Sequence, residues 1–122
     1  MIVVLFLAIL AGLALPQYTK AMERGKAKNG ESSLETIYNA QKRYKLDNQR
    51  YYACEQKPCD AKKMYEALNI TLNTTHFDYN IMEVDNGQGY EAEAVRKEGV
   101  CATKKMTMTQ ENSDIEKECE VW

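Results

Sequence analysis

Four cysteines are the residues of this chain with the clearest bond-forming chemistry. Cys54, Cys59, Cys101 and Cys119 are an even number in a chain of 122 residues, which in an oxidising compartment predicts two disulfides with three possible pairings. We favour Cys54 with Cys59 and Cys101 with Cys119. A zinc site is the alternative, but it normally needs CxxC-like spacing or histidine partners. Because the favoured pairs enclose four and seventeen residues and His76 is the only histidine, we expect disulfides, with no metal and no cofactor.

Catalytic chemistry has little support in the remaining reactive side chains. A histidine-based site would have to form around His76, yet no serine or free-cysteine motif frames it. We therefore expect a surface or strand-edge histidine and no enzyme. The acidic residues show no EF-hand spacing, so Asp85-Asn86-Gly87 is better explained as a hairpin turn than as a calcium loop.

Two short motifs fit the N-glycosylation sequon. They are Asn69-Ile70-Thr71 and Asn73-Thr74-Thr75, and each is an acceptor pattern that also arises often by chance. A glycan on one of them is compatible with a surface-exposed protein.

The charged residues are balanced in number but distributed unevenly. There are 16 basic and 18 acidic residues, for a formal net charge of -2, which gives no general attraction to nucleic acid or to an anionic membrane. Residues 1–19 contain no charged side chain, so the rest of the chain carries all 34. This asymmetry sets the first segment apart from the remainder.

The segment from Met1 to Leu15 is an uninterrupted apolar run of fifteen residues. As a helix it would extend only ~22 Å, short of a ~30 Å hydrocarbon core. It lacks the basic n-region of a secretory signal peptide. A helix that is apolar on all faces also needs more surrounding protein than one domain of this size supplies. Its burial must therefore come from lipid or from other copies of the same helix.

Periodicity beyond the apolar run predicts one long helix followed by a small sheet. From Lys20 to Asp47 the pattern is amphipathic, and residues 48–75 read as a connecting region that holds the short disulfide ring and a short helix at Asp60–Leu68. Alternating patterns predict three antiparallel strands within 76–109, and residues 110–122 form a C-terminal loop. The predicted strands are His76–Glu83, Tyr90–Arg96 and Val100–Thr109; the predicted buried stripe of the helix is Leu34, Ile37, Tyr38, Gln41 and Tyr44. The predicted class is α+β.

The first part of the chain resembles a known family. The run ending in Ala14-Leu15-Pro16, followed by Tyr18 and a basic amphipathic stretch, is similar to the N-terminal helix of type IV pilins and type II secretion pseudopilins over roughly residues 1–45. In that family a methylated aromatic residue and a glutamate precede the segment similar to Met1–Pro16. The resemblance predicts about six further residues at the start, which would bring the apolar segment to about 21, close to a bilayer span.

The resemblance implies a fold and a mode of assembly. The fold would be a pilin-like roll, in which the helix of residues 1–47 packs on the sheet and a disulfide closes the C-terminal loop. Residues 1–19 would form the apolar filament-core or membrane segment and residues 20–47 the amphipathic half. Gly12 and Pro16 would break the helix, with unwinding between Ala8 and Pro16 or, alternatively, a simple proline kink. The residues expected to pack in the filament core are Leu5, Phe6, Leu7, Ile9, Leu10 and Leu13.

The resemblance also implies partners and a location. The chain would be a structural subunit, most simply a major pilin. It would be held in the inner membrane, handled by the pilus assembly machinery and polymerised with identical subunits into an extracellular filament on a bacterial surface. No specific nucleic-acid partner is implied. A type II secretion pseudopilin or a minor pilin is the nearer alternative, although major pseudopilins usually rely on calcium instead of two disulfides. A single-span, membrane-anchored extracellular binding domain is the alternative from another class.

Two segments carry opposite charge. Residues 110–122 contain five acids and one lysine, for a net charge of -4, whereas residues 20–45 contain seven basic residues and three acids, for +4. One hypothesis is that these patches meet between subunits. The alternative is two solvated faces whose exposed ion pairs contribute about 0 to 1 kcal/mol each.

Overall fold

The structure, a computed structural model, describes residues 1–10, 18–111 and 114–122. Its architecture is α+β, with a long N-terminal helix, a short second helix and an antiparallel sheet of four strands. The elements in chain order are α1 (Ile2–Asn48), α2 (Ala61–Leu68), β1 (Phe77–Val84), a 3-10 turn (Asp85–Gly87), β2 (Gly89–Arg96), β3 (Lys105–Thr109) and β4 (Asn112–Lys117).

Helix α1 has the buried stripe that the sequence predicts. Leu34, Ile37 and Gln41 are fully buried, and Tyr38 and Tyr44 pack against the same core. The helix ends where Gln49 adopts a left-handed conformation and its N–H donates to Lys45 O at 2.9 Å, which closes the last turn. The predicted helix break at Gly12 and Pro16 lies outside the described residues.

The buried amide of Gln41 ties the connecting region to α1. Its Nε2 donates to Tyr52 O at 2.7 Å, and its Oε1 accepts from Tyr52 N at 2.8 Å. A side chain that pairs with both backbone groups of one residue satisfies them without a neighbouring strand. The chain leaving α1 is therefore held against the helix it has just left.

Helix α2 confirms the predicted short helix. Asp60 is its N-cap, and the carboxylate accepts a hydrogen bond from Lys62 N at 2.9 Å, which satisfies one of the free N–H groups of the first turn. Met64 and Leu68 are buried and turn the helix toward the core. Asn69 ends it in a left-handed conformation.

The sheet is an antiparallel meander in the order β1-β2-β3-β4. Because side chains alternate between the two faces of a strand, register pairs such as Ile81 with Ala92 and Ala92 with Met108 place apolar residues on one face. That face shares one hydrophobic core with Leu34 and Ile37 of α1. The strand residues of this core are Phe77, Tyr79, Ile81, Tyr90, Ala92, Ala94, Met106 and Met108.

The prediction of three strands was wrong, because the segment predicted as a C-terminal loop contributes β4. This strand pairs with β3, with Thr107 opposite Glu116. Among its described residues Ile115 is partly buried against the core, whereas Asp114, Glu116 and Lys117 are exposed and charged. Charged side chains are typical of edge strands, which must not pair with other chains. Because of this charge pattern, the segment has no apolar alternation that would predict a strand.

The predicted start of the third strand at Val100 was also wrong. Residues 100–103 form turns, because the N–H of Ala102 donates to Gly99 O at 3.1 Å and Thr103 has φ +67°. A left-handed residue cannot continue a strand. The apparent alternation through residues 100–104 is therefore turn structure, and β3 begins at Lys105.

Both disulfides join the pairs that the sequence analysis favours. Cα atoms are 5.5 Å apart in Cys54–Cys59 and 5.7 Å apart in Cys101–Cys119, within the usual range for a disulfide. The first ring lies along the outer edge of β1, where Cys54 N donates to Ile81 O at 3.0 Å. The second joins the turn after β2 to the segment after β4.

We expect the two disulfides to contribute unequally to stability. Cys101–Cys119 links residues 18 positions apart and Cys54–Cys59 only 5. Replacing each pair with alanines should lower the free energy of unfolding by about 3 kcal/mol for the longer loop and about 2 kcal/mol for the shorter one, on chain entropy alone. Urea unfolding of the two double variants, measured side by side, would contradict this order if the Cys54/Cys59 variant proved the less stable.

Candidate assembly surface

The first ten residues of the chain form an apolar surface that nothing in the described structure covers. Successive residues of a helix point about 100° apart, so a run of exposed apolar residues surrounds the whole circumference. Leu5 is 64% exposed and Leu10 60%. The other exposed large apolar residues here are Met1, Ile2, Val3, Val4, Phe6, Leu7 and Ile9.

The predicted core-packing residues fall on this surface where the structure describes them. Leu5, Phe6, Leu7, Ile9 and Leu10 are all exposed on α1. The sixth residue of that set, Leu13, lies outside the described residues. Over residues 1–10, 18–111 and 114–122, we find no helix that is both long and apolar enough to cross a membrane.

Apolar residues are exposed again where α1 meets the sheet domain. Tyr18 and Met22 of α1 and Val100 of the turn after β2 are exposed, and together they line an open cavity of about 360 Å³. Lys26 and Glu98 contribute charged groups to the same cavity. The apolar surface of the chain is therefore not restricted to residues 1–10.

A buried ion pair fastens the sheet to α1 beside this cavity. Arg96 Nε donates to Glu23 Oε1 at 2.8 Å, and the two residues are only 1% and 4% exposed. Arg96 Nη1 also donates to His76 O at 2.9 Å, and Trp122 Nε1 donates to Glu23 Oε1 at 3.3 Å. A buried charge pair is tolerated when further hydrogen bonds satisfy its remaining atoms. The pair joins α1, the end of β2 and the last residue of the chain.

Hydrogen bonding decides the charge state of Glu23. Burial alone would raise the pKa of its carboxyl group, but the hydrogen bonds from Arg96 and Trp122 and the positive charge of Arg96 outweigh burial and lower the pKa below its ordinary value. Glu23 is therefore ionised at neutral pH in spite of being buried.

Sequence reasoning missed this pair because its members lie 73 positions apart. One signal in the sequence could have identified Glu23, the first member of the pair. Extending the predicted stripe backwards from Leu34 by steps of four and three passes through Gly30 and Ala27 to Glu23, and all of these are buried. A charged residue in line with a buried stripe predicts a buried partner of opposite charge.

The acidic C-terminal segment contacts the basic part of α1 within the same chain. Lys117 Nζ pairs with the Glu31 carboxylate, and Arg24 Nε donates to Val121 O at 3.0 Å. These contacts involve Glu31 and Arg24 of α1. Glu116 and Glu118 of the acidic C-terminal segment are exposed. The hypothesis that the patches meet between subunits stays a prediction.

The far end of α1 has a tyrosine-lined surface. Tyr44 and Tyr52 meet edge to face with ring centroids 5.7 Å apart, and Tyr51 packs in the same way on the buried ring of Tyr90 at 4.9 Å. Burial, with the nearby Tyr51 and Tyr38, raises the pKa of the Tyr90 hydroxyl. Aromatic pairs of this geometry stabilise a core edge. The cluster is accounted for by packing between α1 and the connecting region.

The residues considered for catalysis or metal binding are not brought together as a site. His76 directly precedes β1 and accepts hydrogen bonds through its backbone carbonyl from Arg96 and from Lys97 N. Asp85, Asn86 and Gly87 have positive φ and form the tight turn between β1 and β2. Among the described residues, no three His, Cys, Asp or Glu side chains converge as a metal-ion site.

Comparison of the chain with protein-family models, with curated proteins and with solved structures finds no match. The function must therefore be inferred from the surfaces of the chain itself.

Proposed function

We propose that this chain is a structural subunit of the type IV pilin class, most simply a major pilin, that polymerises through its apolar N-terminal helix into an extracellular filament. One observation carries the proposal. The exposed apolar segment of residues 1–10, called the rod below, belongs to the same helix whose later part, around Leu34 and Ile37, packs in the core of the folded domain, called the head below. The head thus carries an exposed apolar helical extension.

The physical reason for polymerisation is the apolar area left uncovered. Contiguous exposed apolar patches above a few hundred Å² mark interaction surfaces, and burial of such surface contributes about 25 cal/mol per Å². A rod that is apolar all round can be covered by several identical rods at once. Contacts between unlike patches of identical subunits generate an open helical filament when the rotation between neighbours does not close into a ring.

The head has features that suit the outside of such a filament. The proposed finer fold is a pilin-like roll, supported by the sheet packed on the later part of α1 and by the Cys101–Cys119 disulfide that closes the C-terminal segment. Two disulfides suit an oxidising, extracellular location. Before assembly, the apolar segment would lie in the inner membrane until the assembly machinery transfers it to the filament.

The alternatives share the apolar segment and differ in assembly. A pseudopilin or a minor pilin would share the same apolar segment. A membrane-anchored binding domain would leave the rod in lipid and would have no contacts between identical rods. The decisive property is therefore whether the chain forms filaments.

Electron microscopy of material sheared from the producing cells, with intact-mass measurement of its protein, tests the proposal. We expect thin filaments built of this chain, with a polypeptide mass lower than that of the reduced chain by four hydrogen atoms, two for each disulfide. The mass also shows whether the subunit carries the further N-terminal residues that the resemblance predicts. Isolated copies confined to the membrane fraction would overturn the filament proposal.

A further inference from the structure

We propose that Asn73 is the acceptor of an N-linked oligosaccharide. This inference concerns the loop between α2 and β1 and does not depend on filament formation. Both sequons have an exposed Asn and Thr, but only in the Asn73 sequon is the middle residue outside the buried core.

The sequon Asn73-Thr74-Thr75 forms a turn on the surface. Asn73 and Thr75 are exposed and Thr74 is partly exposed. Asn73 Oδ1 accepts a hydrogen bond from Thr75 N at 2.9 Å, which is the Asx-turn arrangement of asparagine with the residue two positions on. This bond uses the carbonyl oxygen of the side chain and does not involve the amide nitrogen Nδ2, which is the atom that would carry the glycan.

The sequon Asn69-Ile70-Thr71 is presented differently. Asn69 terminates α2 in a left-handed conformation, and its N–H donates to Tyr65 O at 2.9 Å. The middle residue, Ile70, is buried in the core. Asn69 and Thr71 are themselves exposed, so the two motifs differ in the burial of the middle residue and in the helix-end role of Asn69.

Buried residues on both sides of Asn73 keep its side chain at the surface of the protein. Leu72 on one side and Phe77 on the other are buried in the hydrophobic core, so the residues between them form a short surface loop. Surface loops are where asparagine-linked glycans are added. The large group can be accommodated there without displacing a buried residue.

The disulfides provide an independent argument about the compartment. All four cysteines are paired, in Cys54–Cys59 and Cys101–Cys119, which favours an oxidising environment outside the cytosol. Oligosaccharide transfer from a lipid carrier takes place on that side of a membrane. Asn73 would therefore meet a lipid-linked sugar donor and the oxidising conditions in the same place.

The transfer is a substitution at the anomeric carbon of the donor. The hydrogen bond to Asn73 Oδ1 draws electron density from the amide and makes a proton on Nδ2 easier to remove. Nδ2 attacks the anomeric carbon of a polyprenyl-pyrophosphate-linked oligosaccharide and loses that proton to a base of the transferase. The carbon–oxygen bond to the pyrophosphate breaks, and the polyprenyl pyrophosphate leaves with the electron pair.

Intact-mass measurement of the full chain purified from the cells that produce it tests this inference. We expect a mass above that of the disulfide-bonded polypeptide by a discrete oligosaccharide, and release by a glycosyl-asparagine amidase should leave Asp in place of Asn73. The mass increment should be lost in Asn73→Gln and in Thr75→Ala, and retained in Thr75→Ser. Thr75→Ala keeps the backbone N–H that forms the turn, so its effect reports the sequon hydroxyl.

The matched control is Asn69→Gln, which removes the other sequon and should leave the increment unchanged. A wild-type chain with the unmodified polypeptide mass, or an increment that persists in Asn73→Gln, would overturn the assignment. Filaments built of unglycosylated chains would contradict this inference but support the proposed function. A glycosylated chain that forms no filaments would support this inference but contradict the proposed function.

Discussion

Replacing Leu5 with lysine is expected to abolish filament formation and to leave the head folded. In the proposed filament Leu5 is covered by neighbouring rods, so the change forfeits about 1.5–3 kcal/mol of apolar burial and places a charge in apolar surroundings at a cost of further kcal/mol. Because every 1.4 kcal/mol is about tenfold in an association constant, the yield of sheared filaments should fall by at least about a hundredfold. Electron microscopy and quantification of the sheared fraction measure the effect.

The chain offers a matched control on the same helix. Leu46 is 78% exposed and lies near the other end of α1, so Leu46→Lys adds the same charge to an exposed leucine of the head. We expect its filament yield to stay within a few-fold of the wild type. Leu5→Ala distinguishes lost packing from a failure to enter the membrane. It removes packing atoms but keeps the segment apolar, so the subunit should accumulate in the membrane fraction. Equal filament yields from Leu5→Lys and Leu46→Lys would rule out a core role for the apolar segment.

Local patterns were sufficient for the parts of the fold whose signals lie close together in the sequence. The stripe of Leu34, Ile37 and Gln41 and the alternation through Tyr79 and Ile81 express helix and strand periods directly, and both proved buried as predicted. The apolar segment of residues 1–10 was equally readable, since the surface is one continuous run.

The missed features depend on contacts between distant residues. β4 is a strand because β3 offers it hydrogen-bonding partners, while its own residues Asp114, Glu116 and Lys117 carry no apolar alternation. The start of the predicted third strand was lost to turns at Gly99 and Thr103. Tertiary context decides backbone pairing of this kind, and the strand propensity of a residue depends on that context.

Replacing Arg96 with methionine is expected to lower the free energy of unfolding by about 3–5 kcal/mol, because it leaves the Glu23 carboxylate buried without its guanidinium partner. The matched control is Arg50→Met. The Arg50–Glu83 pair has a similar separation, 2.7 Å, but its side chains are 55% and 42% exposed, so we expect a loss of about 0–1 kcal/mol. Urea unfolding of the full chain in detergent, with both disulfides intact, measures the two effects.

A double variant distinguishes an unpaired charge from lost packing. In Glu23→Leu with Arg96→Met no buried charge is left, and replacing both members of such a pair by apolar residues is often close to neutral. We expect the double variant to recover much of the stability that Arg96→Met loses. If it is no more stable than Arg96→Met alone, the loss in Arg96→Met comes from the packing of Arg96 over the Phe77 ring and not from an unpaired charge on Glu23.

Acid should reduce the difference between the wild type and Arg96→Met. In the wild type the folded-state pKa of Glu23 is lowered, so its contribution is present above the unfolded pKa and is lost as the pH falls through the folded pKa. In Arg96→Met, burial without the guanidinium should raise the folded pKa, so protonation at low pH relieves a buried charge and stabilises the variant relative to neutral pH. The two unfolding free energies should therefore converge between about pH 7 and about pH 3. A difference that stays constant over this interval would mean that Arg96 holds the sheet on α1 by shape and hydrogen bonding to His76 O, and that the charge of Glu23 has no part in it.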